Sequence, residues 1–162
     1  MCRAFVRTGW EEWHMVLRLR AALPDISGVT EWVNQEVSND DFTGQPVLVH
    51  FWSVSCELCK MGFKELNKLR EEHPQVEFIG IHVPRSEKDT DVDAVKGTIV
   101  KYELKHPQGI DNRHAVVDAF ENEYVPAFYL FDAKGQLRHR FAGAKALSML
   151  KRPLERMSGE IE

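Results

Sequence analysis

Residues 47–60, VLVHFWSVSCELCK, set an apolar run directly before two cysteines that are separated by two residues. Val47, Leu48, Val49, Phe51 and Trp52 are β-branched, aliphatic or aromatic, and a run this short and apolar suits a strand buried on both faces of a sheet. Ser53, Val54 and Ser55 then make a tight connection to a helix that begins near Cys56. On that helix Cys59, Phe63, Leu66 and Leu69 recur at spacings of four, three and three, which is one apolar stripe. Pro74 cannot continue a helix, so it ends at His73. The strand, turn and helix put Cys56 where free backbone N–H groups and the helix dipole favour an anion, which lowers a thiol pKa. Cys59 lies one turn deeper, sheltered and within reach of the first sulfur. An exposed thiolate that attacks a disulfide and a buried partner that resolves the mixed disulfide are what dithiol exchange requires.

The rest of the chain reads as alternating strands and helices, the pattern of an α/β domain. Val29, Glu31 and Val33 alternate with Thr30, Trp32 and Asn34, which predicts a short edge strand or hairpin arm. Val76 to Val83 is a second buried strand, bounded by Pro84, and strand–helix–strand in this order implies a parallel crossover. Residues 85–91 are polar and charged, an exposed loop. Val92, Val95, Ile99 and Tyr102 mark an amphipathic helix that ends near His106 and Pro107. Asp111 and Asn112 are expected to cap a helix over 113–122, with Val116, Ala119 and Phe120 on its apolar side. Pro126–Phe131 is the next strand, Asp132–Gly135 its turn and Gln136–Phe141 the hairpin partner. Ala144–Met157 closes the chain as a helix on Leu147, Leu150 and Leu154, with Pro153 a kink point.

A length of 162 residues gives one domain room for a core. A formal charge of −4 supplies no basic field for nucleic acid, and no apolar run is long enough to span a membrane. Residues 1–22 read as an N-terminal extension, disordered or non-native, and residues 23–162 as the domain. Arg3 and Arg7 imitate a signal-peptide start, but Trp10, Glu11, Glu12 and Trp13 break the pattern, so no export signal is expected. Met15 is an alternative natural start, and Cys2 would then be an incidental thiol.

The strand, the Phe51-Trp52 pair, Cys56-x-x-Cys59-Lys60 and the helix together resemble a thioredoxin-fold domain. They are most similar to the TlpA-like branch of thiol-disulfide oxidoreductases and to the thioredoxin-like domain found beside NHL repeats. The segment 123–135, EYVPAFYLFDAKG, is similar to the family stretch in which a cis-proline precedes a strand and a turn. The resemblance spans residues 25–157. It implies a thioredoxin fold: a central mixed β-sheet flanked by helices, with a short N-terminal strand or hairpin and a helical insertion that contains the 92–102 segment. It also implies a cis Val125–Pro126 bond against the cysteines, with the Val125 backbone positioned to pair with a substrate strand.

Five positions depart from that family. His50 stands where thioredoxin holds a buried Asp beneath the dithiol; it is read either as a relay for the Cys59 proton or as a core histidine bonded to a carbonyl. Ser55 replaces the Trp that usually precedes the first cysteine, which predicts a more polar and open surface. Glu57 and Leu58 stand between the cysteines in place of prolines or Gly-Pro. A carboxylate beside Cys56 opposes its thiolate, Lys60 being a weak counterweight, and so favours a reducing potential nearer about −270 mV than about −120 mV. Lys64 replaces a family proline, which predicts a straighter helix with Gly62 as its soft point.

The expected activity is thiol-disulfide exchange through Cys56 as nucleophile and Cys59 as resolving residue, with His50 as relay and Trp52, Ser55, Val125 and Pro126 shaping the substrate surface. No organic cofactor or metal is expected, because the electrons travel through the dithiol. Partners would be protein or small-molecule disulfides and a thiol or reductase that recharges the site. The expected compartment is the cytoplasm, or outside it if an anchor or leader has been removed. Two alternatives stay open: a non-catalytic binding or sensor module that uses the cysteines for zinc or as a slow switch, and a peroxiredoxin-type peroxidase. Ser53 meets the latter's need for Thr or Ser three residues before the reactive cysteine, whereas Val49 fails its need for a proline.

Overall fold

The computed structural model describes residues 17–161; the readings of Met15, Cys2 and the signal-like residues lie outside them. Six strands form one sheet in the order β1-β4-β3-β2-β5-β6. They are β1 Glu31–Val33, β2 Val47–Trp52, β3 Glu77–His82, β4 Gln108–Ile110, β5 Ala127–Phe131 and β6 Leu137–Ala142. β2 runs parallel to β3 and β3 to β4, while β1, β5 and β6 join antiparallel. The sheet is therefore mixed, as the thioredoxin-fold resemblance implies.

β2 lies at the centre and is buried along its whole length because both its faces are covered. Alternation sends Leu48 and Trp52 to one side, where they meet α1 (Glu57–Glu72) and α4 (Ala146–Ile161). Cys59, Phe63, Leu66 and Leu69 of α1 and Leu150, Leu154 and Met157 of α4 fill that layer, together with Val95 and Ile99 of α2 (Val92–Lys101). Val47, Val49 and Phe51 face the other side, which is closed by Val116, Val117 and Phe120 of α3 (Ala115–Ala119) and its C-cap and by Leu17, Ile26, Val37 and Phe42. The chain is already tied to the sheet at Arg20, whose N–H donates to the Leu137 carbonyl at 2.7 Å.

Several elements differ from the sequence expectation. β1 is an edge strand, but its partner is β4, far along the chain, rather than a hairpin neighbour. β4 itself was not expected. Three residues are too few for a period, and its pairing to β3 and β1 is tertiary. Gly62 is a contact point rather than a soft one, since a β-carbon there would lie 2.7 Å from Leu147 Cδ1. α3 is shorter than expected, and Asp111 caps it by accepting the Val116 and Val117 N–H groups at 3.1 and 2.8 Å.

Candidate active site

The C-terminal end of β2 delivers the cysteines. Cys56 is the N-cap of α1, in extended backbone, and its Sγ accepts the Cys59 N–H at 3.1 Å. That amide is one of the helix's otherwise unpaired donors, so the first turn offers an anionic sulfur both a hydrogen bond and the positive end of the dipole. Cys56 and Cys59 are joined as a disulfide with their Cα atoms 5.3 Å apart. In this form the residues are 4% and 3% exposed, so the expected contrast in accessibility is absent. Position along the helix separates them instead: Cys56 is at the cap, and Cys59 belongs to the buried stripe.

The turn before Cys56 is anchored at three consecutive residues by the last residue of β3 and the chain that follows it. The buried Ser53 hydroxyl donates to the Val83 carbonyl, and the Val54 N–H donates to His82 Nε2 at 3.0 Å. Ser55 Oγ donates to Asp89 at 2.7 Å, and Asp89 also accepts the Arg85 N–H at 2.9 Å. Arg85 completes the clamp, donating through Nη2 to the Ser55 carbonyl at 2.7 Å and through Nε to its hydroxyl at 3.1 Å. Residues 85–91 are thus more than an exposed loop: a 3₁₀ turn at Glu87–Thr90 turns Asp89 inward, where it is buried. Ser55 is exposed and polar, as expected, but it is pinned rather than open. Burial lowers the His82 pKa to about 4, and its bond from Val54 requires a bare Nε2, so the ring is neutral.

The Val125–Pro126 peptide is cis. Val125 precedes the β5 ladder, which begins at Ala127, and packs against the core layer that contains Trp52, Cys56 and Cys59. Tyr124 beside it is exposed. A cleft of about 440 Å³ separates this loop from the clamp, lined by Pro84, Arg85, His114, Tyr124 and Val125. Glu57 projects into solvent, with Lys60 Nζ 3.9 Å away.

His50 lies on the α1 side of β2, between Leu48 and Trp52, and is buried. Its Nε2 stands 2.8 Å from His106 Nε2. Gln108 Nε2 stands 2.9 Å from the same His106 nitrogen, and Trp52 Nε1–H donates to Gln108 Oε1 at 2.9 Å. Burial lowers the His50 pKa to about 3 and that of His106 well below the ordinary histidine value. The partner of His50 is therefore a second histidine, not a backbone carbonyl.

The AhpC/TSA family profile matches residues 19–140 of this chain, well over half of it. The chain belongs to the AhpC/TSA family. It is 41% identical over 148 residues to the thiol-disulfide oxidoreductase YkuV of Bacillus subtilis (strain 168), covering 90% of this chain and 100% of that protein. To the thiol-disulfide oxidoreductase ResA of Bacillus thuringiensis subsp. konkukian (strain 97-27) it is 25% identical over 130 residues, 80% of this chain and 73% of that one. The solution structure of a thioredoxin-like protein in the oxidized form matches with a TM-score of 0.83 and 41% identity, covering 90% of this chain and 100% of that one. This AhpC/TSA protein is a thiol-disulfide oxidoreductase of thioredoxin fold, in keeping with the TlpA-like resemblance.

In this AhpC/TSA member the fold brings Cys56, Cys59, Trp52 and Val125 into one layer, with His50 between Leu48 and Trp52 on the same face. Arg85, Asp89, His106 and Gln108 escaped the sequence reading as site residues. The one local signal of Arg85, His106 and Gln108 is a polar side chain next to a proline, which is common on any surface, and Asp89 lies in a charged run that carries none. Among the described residues no group of three or more His, Cys, Asp or Glu is placed to hold a metal ion, and no helix is long and apolar enough to cross a membrane.

Proposed function

We propose that this AhpC/TSA protein works as a disulfide reductant. The Cys56 thiolate attacks one sulfur of a substrate disulfide, the substrate S–S bond breaks, and the departing sulfur leaves as a thiolate. Cys59 loses its proton and attacks Cys56 Sγ, which closes the Cys56–Cys59 bond and expels the second substrate thiolate. Two electrons pass from the dithiol to the substrate. The observation that carries this reading is Cys56 at the helix cap, bonded to Cys59 and with its sulfur on the Cys59 amide. The reducing direction is supported by Glu57, whose charge beside Cys56 opposes the thiolate that an oxidising site must stabilise.

His50 takes the Cys59 proton during resolution and returns it to a leaving thiolate. Its support is its place on the strand that leads into the cysteines, on their side of the sheet. Trp52 backs the dithiol from the core, and Ser55, Val125 and Pro126 border the surface that a substrate meets. Substrates are disulfides of proteins or small molecules, and a separate thiol or reductase restores the dithiol. No metal or organic cofactor takes part. A reductant is recharged most readily where thiols are kept reduced, so the cytoplasm is the compartment proposed.

The test is a redox titration of Cys56 and Cys59 in thiol-disulfide buffers, read by mass after alkylation. A reversible two-electron transition nearer about −270 mV than about −120 mV supports a reductant. A high potential reverses the electron flow, and failure to form the disulfide removes exchange altogether. In parallel, Cys59→Ser is expected to trap substrates as mixed disulfides on Cys56.

A further inference from the structure

Trp52, Gln108, His106 and His50 form one buried hydrogen-bonded chain, and its end groups determine the tautomers inside it. An indole N–H only donates. It holds the Gln108 carbonyl oxygen toward Trp52 at 2.9 Å and so turns the amide nitrogen to His106. His106 Nε2 therefore accepts and carries no proton. The ring is neutral, because burial and the nearby His50 and Arg70 all oppose its charging, so its single proton is on Nδ1. His50 Nε2 faces that same lone pair at 2.8 Å and has to donate. The proton of neutral His50 is consequently on Nε2, which leaves Nδ1 as the basic nitrogen.

We propose that Gln108 and His106 are positioning residues that hold His50 in the Nε2–H tautomer, which leaves Nδ1 as the nitrogen through which it would take the Cys59 proton. This rests on the relay role given to His50 above. The backbone prepares the arrangement: Gly80 is the register partner of both His50 and Gln108, and a β-carbon at Gly80 would overlap the Gln108 amide. When Nδ1 accepts the Cys59 proton, His50 becomes an imidazolium whose Nε2–H bond to His106 is charge-assisted and strengthened. Arg70 opposes passage of the charge to His106 and burial opposes its residence on His50, so the proton passes on at once to a leaving thiolate. The network ends each cycle in the tautomers with which it began.

The first test needs no variant. Long-range ¹H–¹⁵N spectra of the intact protein labelled at histidine are expected to show His50 protonated on Nε2 and His106 on Nδ1. Either ring in the opposite tautomer overturns the proposal. Gln108→Leu is then expected to scramble both tautomers and to slow resolution of a mixed disulfide by Cys59 on the order of tenfold. Mixed-disulfide formation by Cys56, followed in a Cys59→Ser background, is expected to be unchanged. If Gln108→Leu slows both steps alike, its effect is structural and the positioning role falls. If His50→Gln slows resolution but Gln108→Leu does not, the relay stands and only the positioning role falls. If His50→Gln leaves resolution unchanged, the relay itself fails and takes the positioning role with it.

Discussion

The residues on either side of Cys56 carry or hold opposite charges, which arrive by different routes. Glu57 is the neighbour of Cys56 in the chain, exposed and only loosely paired with Lys60 at 3.9 Å. Arg85 arrives from the segment after β3, thirty residues from the Ser55 it clasps. Removing the carboxylate relieves repulsion of the thiolate, so Glu57→Gln is expected to raise the reduction potential. Solvent screening keeps the rise to on the order of 10 mV, measurable in a glutathione titration. Arg85→Gln acts in the opposite sense. It is expected to raise the Cys56 thiol pKa and slow iodoacetamide alkylation of the reduced protein at pH 7 by about twofold to threefold. The first effect was legible because Glu57 touches Cys56 in the sequence. The second was not, since no local pattern says where an arginine on a polar loop will fold.

At the scale of elements, α1 is the clearest case of a helix written into its own sequence, with a stripe at helical spacing, a cap residue and Pro74 after its end. The 3₁₀ turn at Glu87–Thr90 is the contrary case: its charged residues read as solvated loop, yet Asp89 is drawn under the site because it has the Ser55 hydroxyl and the Arg85 amide to accept. Asp89→Ala would leave both donors without that partner. It is expected to cost about 1–3 kcal/mol in urea unfolding and to speed amide hydrogen exchange at residues 85–90. β4 belongs with this turn, since three residues carry no readable period and become a strand only when β1 and β3 flank them. His106 and Gln108 reach His50 and Trp52 only through that pairing.

For the molecule as a whole, the buried histidines couple stability to pH. His50 and His82 have folded-state pKa values of about 3 and about 4, below the ordinary 6.5, so the unfolded chain binds more protons across that interval. Their contribution is fully present above pH 6.5 and is lost as the pH falls toward 4 for His82 and toward 3 for His50. The loss is up to about 1.4 kcal/mol per pH unit for each group. Urea unfolding of the oxidised protein at pH 7 and pH 5 is expected to show a lower midpoint at pH 5, and His82→Gln to reduce that difference. The cysteine motif, its strand and its helix could be read along the chain because each depends on neighbours within a few residues, a period of hydrophobicity, a cap or a proline, whereas the thioredoxin-like plan came from the family resemblance. The clamp on Ser55, the histidine pair and the tautomer of His50 depend on the sheet order β4-β3-β2. That order places residues 50, 80 and 108 side by side, and such lateral contacts leave no periodic trace in a sequence because each is made by one residue meeting another from a distant part of the chain.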